Sequence, residues 1–167
     1  MSKSCQLIVI LATCVHVAAA QGTLSISERA VARAVESHNA EALALLERIV
    51  NINSGTMNVA GVRRVADVLR PQLESLGFTT HWADGASFKR AGHLIAEHAG
   101  PGPKILLIGH LDTVFEPSSP FQKFIRLNDS TATGPGVIDM KGGDVIIVHA
   151  LRALRAAGAN RSAPRNS

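Results

Sequence analysis

Residues 104–117 read KILLIGHLDTVFEP, and residues 133–143 read TGPGVIDMKGG. In the first stretch an apolar run of the buried-strand type, Ile105 to Ile108, leads into Gly109, His110, Leu111 and Asp112. In the second, a glycine-rich turn presents Asp139 just ahead of a new helical pattern. A run that is apolar on both faces predicts an interior strand over Lys104 to Gly109, covered on each side, with a helix from about Gly143 to Ala157 as one cover. The expected fold class is therefore α/β, a layered mixed sheet with flanking helices. In such sheets ligands gather beyond the carboxyl ends of the strands, where His110 and Asp112 fall. If the backbone stays extended there, the two side chains point to the same side and share one small volume.

Working outward, the preceding segment carries two further strand signals, at Phe78 to Trp82 and His93 to His98, close enough for a hairpin. An extended piece is expected at Phe121 to Leu127. Helices come before the strands. Ser25 followed by Glu28 forms the pattern of a capping box, and Ile26, Ala30 and Ala34 recur at helical spacing behind it. A second helix is expected over Asn39 to Val50. A third opens at Asn58 and puts Val62, Val65 and Leu69 on one stripe; Pro71 is expected to kink or interrupt it, and Gly77 to stop it.

The first twenty residues read as a secretory signal peptide. Lys3 precedes the apolar run Leu7 to Ala12, and Ala18 and Ala20 suit a peptidase cutting before Gln21. That apolar core is too short to span a bilayer as a helix, so no membrane association is expected after cleavage. The expected location is secreted or periplasmic. Both cysteines, Cys5 and Cys14, lie in the part removed, which leaves no thiol for a disulfide or a metal. The expected organisation is thus a signal peptide over 1–20, one catalytic-type unit over 21–158 and a tail over 159–167, since 167 residues amount to one domain.

The composition, 46% hydrophobic and 18% charged, is that of a globular protein. The net charge of +4 falls to +3 without Lys3, and Arg152, Arg155, Arg161 and Arg165 crowd the final stretch. With no aromatic residues interleaved among those arginines, they read as a solvated tail, not a nucleic-acid surface. The absence of a G-x-S-x-G elbow and of a mature cysteine removes support for serine or thiol nucleophiles.

Three side chains carry the chemistry that remains. His110 offers a ring nitrogen to a divalent metal, Asp112 orients the ring or joins it, and Asp139 supplies a hard anionic oxygen. Zinc favours such a mixture of nitrogen and oxygen, although cobalt or manganese would fit it almost as well. On residue types alone a His-x-Asp pair is more often a hydrogen-bonded structural pair than a metal corner. His38, His81, His93, His98 and His149 read as structural or surface residues, and Lys141, Gly142 and Gly143 as shaping a turn and a helix start. Ser54-Gly55-Thr56 reads as a turn.

GHLDTV and GPGVIDMKGG, in that order and at this separation, resemble the dinuclear zinc hydrolases that include glutamate carboxypeptidase, acetylornithine deacetylase, succinyl-diaminopimelate desuccinylase and the aminoacylases. The resemblance runs from about Glu41 to Ala157 and looks closest to the glutamate carboxypeptidase branch. It implies that His110 binds one zinc, that Asp139 bridges two zinc ions, and that Asp112, the candidate catalytic residue, steers His110. It also implies hydrolysis of an amide next to a free carboxylate, with a small peptide or N-acyl amino acid as substrate, in a two-domain subunit that usually forms a homodimer.

The chain departs from that pattern after the helix ending near Gly158. The resemblance implies a strand followed by a Glu-Glu pair, the first member a general base and the second a zinc ligand; here the sequence reads ANRSAPRNS, with no carboxylate after Asp144. The expectation is a truncated or frame-shifted member without independent catalysis. The alternatives are a non-catalytic remnant and a secreted module that binds a metal or small anion at the His110 and Asp112 corner.

Overall fold

The computed structural model describes residues 23–158. The expected signal peptide and the tail 159–167 lie outside them. Helix α1 (Ile26–Ser37) begins at a complete capping box: the Ser25 hydroxyl accepts from the Glu28 amide, and the Glu28 carboxylate accepts from the Ser25 amide at 2.7 Å. Helix α2 (Asn39–Val50) has the bounds its periodicity predicts. Helix α3 (Val59–Ser75) starts at Asn58, whose side-chain oxygen accepts from the Gly61 amide, and stops at Gly77, where φ is 89°.

Of the two outcomes expected at Pro71, a kink or an interruption, the interruption does not occur, and α3 continues through it to Ser75. The Pro71 ring faces solvent, while Leu69 on one side and Leu76 on the other are buried. The apolar anchorage of both flanks outweighs the hydrogen bond that proline cannot make.

The expected hairpin is present. Strand β1 (Thr79–Asp84) pairs antiparallel with β2 (Gly92–Glu97), in a register that sets Thr79 opposite Glu97 and Asp84 opposite Gly92. The Arg63 guanidinium of α3 lies 4.4 Å from the centre of the Trp82 ring and joins helix to hairpin. Within the expected extended piece only β3 (Ile125–Arg126) is a strand, and it pairs with the two-residue β4 (Ala132–Thr133). Helix α4 (Gly142–Ala156) follows the glycine-rich turn. Among the described residues, four helices and two small antiparallel sheets make a mixed α/β fold.

The core is helical. Leu45 and Ile49 of α2, Val65 and Leu69 of α3, and Val145 and Val148 of α4 form one buried cluster, with Leu94 of β2 and Leu111 packed against it. Leu111, next to His110 in the chain, packs against this cluster, so the packing of three helices supports the candidate site from behind. No helix among the described residues is long and apolar enough to cross a membrane.

One expectation fails clearly. Lys104 to Gly109 is not a covered interior strand: it joins neither sheet, and Ile105, Leu106 and Ile108 are 84%, 80% and 76% exposed. An apolar run records what a segment is suited to contact, and a ladder needs a neighbour on each edge. Among the described residues β2 pairs only with β1, and an open cleft of about 1700 Å³ lies between this segment, β2 and the apolar sides of α3 and α4.

Candidate metal and hydrolytic site

The site gathers three stretches of chain. The loop after α2 is fixed to the segment beyond His110 by a short parallel bridge, in which the Thr113 amide donates to the Ser54 carbonyl at 2.8 Å and the Thr56 amide to the Thr113 carbonyl at 3.0 Å. Asn53 adds a side-chain donor to the Phe115 carbonyl at 2.9 Å. The third stretch, Val137 to Lys141, is a wound turn that enters through Gly136 in the left-handed region, φ 79°, and in which Asp139 and Met140 leave helical dihedrals. That departure projects the Asp139 carboxylate out of the turn toward His110.

His110, Asp112 and Asp139 come together as the sequence suggests. Nε2 of His110 is 2.8 Å from Oδ1 of Asp139, while Nδ1 is 3.0 Å from the Asp112 carbonyl and 3.3 Å from Asp112 Oδ1. Both ring nitrogens thus face acceptors. A neutral imidazole has one N–H, so this arrangement needs a positive charge, either a second proton or a cation between Nε2 and the Asp139 carboxylate. Burial by itself pulls the pKa of His110 down; the hydrogen bonds to Asp139 and Asp112 and their charges outweigh it and leave it raised.

Several participants give no signal in the sequence. The Thr56 hydroxyl, read only as part of a turn, donates to Oδ2 of Asp112 at 2.6 Å. Lys141 is fully buried, and its ammonium donates to the Ile52 carbonyl at 2.9 Å. Burial pulls its pKa down to about 8, against the opposing charge of Asp144. Asp144, on the first turn of α4, is buried with Oδ2 lacking a hydrogen-bond partner; burial pushes its pKa up to about 7, although His110 and Lys141 pull the other way. From sequence Lys141 reads only as shaping a turn and a helix start, and nothing in DMKGGD marks it or Asp144 as buried until α4 is seen packed into the core.

The other histidines stay apart from this site. His38 links α1 to α2, with Nδ1 2.7 Å from the Ala34 carbonyl, and His98 stacks edge-on against Phe78. His93 is exposed on β2, and His149 lies on α4 with a pKa lowered by burial and by Arg152.

Residues 106–164 match the model of peptidase family M20/M25/M40. The segment so matched contains the whole His110–Asp139 constellation. The chain belongs to this M20 family. It is 33% identical over 114 residues to Carboxypeptidase G2 of Pseudomonas sp. (strain RS-16), an alignment that covers 68% of this chain and 28% of that protein. It is also 34% identical over 102 residues to a Pyrococcus furiosus protein named for LysW-lysine and LysW-ornithine hydrolysis, covering 61% of this chain and 27% of that protein. The chain thus spans little more than a quarter of the length of the curated relatives it matches.

M20 enzymes are generally metal-dependent hydrolases, and the donors here fit part of such a centre. His110 Nε2 and Asp139 Oδ1 converge, and the Asp139 carboxylate is 80% exposed, which leaves room for further ligands. Among the described residues no group of three or more His, Cys, Asp or Glu side chains is placed to hold a metal.

Proposed function

We propose that this M20 chain carries part of the metal centre of an exported hydrolase that cleaves an amide next to a free carboxylate, in a small peptide or N-acyl amino acid. The observation that carries the reading is the pair of acceptors on the two faces of His110, one of them Asp139 at 2.8 Å. A cation held by His110 and Asp139 would replace a proton with a charge that the site already calls for. His110 and Asp139 would hold zinc, and Asp112 would hold His110 with Nε2 turned outward. Zinc at this position supplies Lewis-acid polarisation of a carbonyl and an acidified water.

These residues by themselves lack a complete catalytic set. Two protein donors, His110 and Asp139, fall short of the three that a catalytic zinc takes. We assign amide hydrolysis to the whole two-domain protein that the family resemblance implies, and to His110 and Asp139 a share of its metal centre. Export rests on Lys3, the apolar run Leu7 to Ala12 and the alanines before Gln21.

Zinc titration of the purified chain tests the metal reading. Zinc is expected to raise the thermal midpoint, with His110→Ala and Asp139→Ala removing the rise. A midpoint indifferent to zinc overturns that reading. Hydrolysis of an N-acyl amino acid by the same chain, dependent on zinc, overturns the assignment of turnover to the larger protein. A mature amino terminus other than Gln21 in the exporting host argues against the signal peptide.

A further inference from the structure

The Thr56 hydroxyl is held on a platform independent of the side chain it meets. Its main chain is fixed by the bridge to Thr113, through the Thr56 amide at 3.0 Å and the Ser54 carbonyl at 2.8 Å. A second tie comes from Glu116, whose Oε1 accepts from the Met57 amide at 3.0 Å. From there the hydroxyl reaches Asp112 Oδ2 at 2.6 Å, while the alternative acceptor, the Thr113 carbonyl, stands farther away at 3.3 Å. A hydroxyl has one proton to give, and the shorter contact to a carboxylate takes it.

Asp112 can meet His110 in two ways. Its side-chain Oδ1 is 3.3 Å from Nδ1, and its own main-chain carbonyl is 3.0 Å from the same nitrogen. A carboxylate tethered only by its own two torsions turns freely enough to leave the ring to the weaker carbonyl partner. Anchoring Oδ2 removes that freedom and keeps Oδ1 against Nδ1. We propose that Thr56 is a positioning residue for His110, acting through Asp112: its hydroxyl fixes the carboxylate, and the carboxylate adds to the main-chain carbonyl in favouring the Nδ1–H tautomer, in which Nε2 offers its lone pair on the Asp139 side.

The zinc-affinity part of this inference rests on His110 being a metal ligand; the tautomer part does not. The experiment therefore has two readouts on the full chain. In the metal-free chain carrying Asp139→Ala, which removes the competing carboxylate 2.8 Å from Nε2, the ring nitrogen-15 shifts of His110, measured at a pH where the ring is neutral, report the share of Nδ1–H. Thr56→Val is expected to move that share toward Nε2–H, Thr56→Ser to restore it, and Thr56→Val in an Asp112→Asn background to add nothing. With zinc, Thr56→Val is expected to weaken binding about tenfold or more, as loss of outer partners of a metal-bound histidine does.

If Thr56→Val does not fold, Thr56→Cys takes its place, since a thiol of similar size is a poor donor. An unchanged tautomer share in a folded variant, or a serine variant that behaves like valine, overturns the proposal. A wild-type chain that does not bind zinc overturns the metal reading instead, and the nitrogen shifts still decide the role of Thr56.

Discussion

The ammonium of Lys141 lies 2.9 Å from the main-chain carbonyl of Ile52, at the far end of a side chain with no exposed surface. It braces the turn that carries Asp139 against the loop that follows α2. Lys141→Ala removes both the brace and the volume of the stem, leaving a void and an unmet carbonyl. The expected loss is about 2–4 kcal/mol. Lys141→Met keeps the volume and removes a desolvated charge, so its loss is smaller; urea melts in which methionine costs as much as alanine would refute the packing role of the stem.

Asp144 makes stability fall with rising pH. Its folded pKa is near 7, above the ordinary 3.8, so the folded state holds a proton that the unfolded chain has already released. The contribution is fully present below about 3.8 and lost as pH climbs to about 7, with a slope of at most about 1.4 kcal/mol per pH unit. Asp144→Asn stays neutral throughout. In chelator-treated protein its melting temperature is expected to match wild type near the acid end and exceed it increasingly up to neutral pH; parallel curves count against the shift.

Gly136 is a position where only glycine serves. Its φ is 79°, and a Cβ there would stand 2.7 Å from Thr113 Cγ2. Gly136→Ala combines a left-handed backbone with a clash beneath the Asp139 turn, for an expected loss of about 1–3 kcal/mol. Zinc affinity should fall along with stability, because the turn that aims Asp139 must shift. A denaturation midpoint like that of the wild type would show that the turn has slack the geometry does not suggest.

Helices α1 to α4 and the β1–β2 hairpin were legible because each has its own periodicity and its own stop: the Ser25–Glu28 box, Asn58 at the head of α3, Gly77 at its end. Lys104 to Gly109 was misread because an apolar run states a preference for burial and says nothing of whether neighbours are present. At Pro71 the helix continues without interruption because a proline's local cost can be outweighed by the burial of Leu69 and Leu76. His110, Asp112 and Asp139 stood out by residue type and spacing. Thr56 did not, since its partner is 56 residues away and a Ser-Gly-Thr stretch has the composition of any turn. The burial of Lys141 and Asp144 was hidden too, since a turn-shaping lysine and a first-turn aspartate carry no mark of the core that the assembled helices place around them.

The exposed run Ile105 to Ile108 is a hazard in solution. It presents apolar side chains and unpaired main-chain groups together, which is the pattern of strand-to-strand association. Leu106→Lys is expected to slow concentration-dependent light scattering while shifting the unfolding free energy by no more than about 0.5 kcal/mol. Scattering that persists unchanged would place the association elsewhere.

The chain distances inside the site bear on the order in which the molecule comes together. Thr56 and Asp112 meet across 56 residues and His110 and Asp139 across 29, whereas the contacts within each helix are local. Closing such loops costs entropy before any contact repays it, so helices and hairpin form ahead of the site. The site is then expected to form after these local elements. Changes at Thr56 or Asp139 should accordingly hasten unfolding and leave the refolding rate nearly untouched, a separation that the two limbs of a chevron plot read directly. Any cation captured between His110 and Asp139 would act mainly as a brake on unfolding, and the chain's lifetime in the folded state would follow the supply of metal.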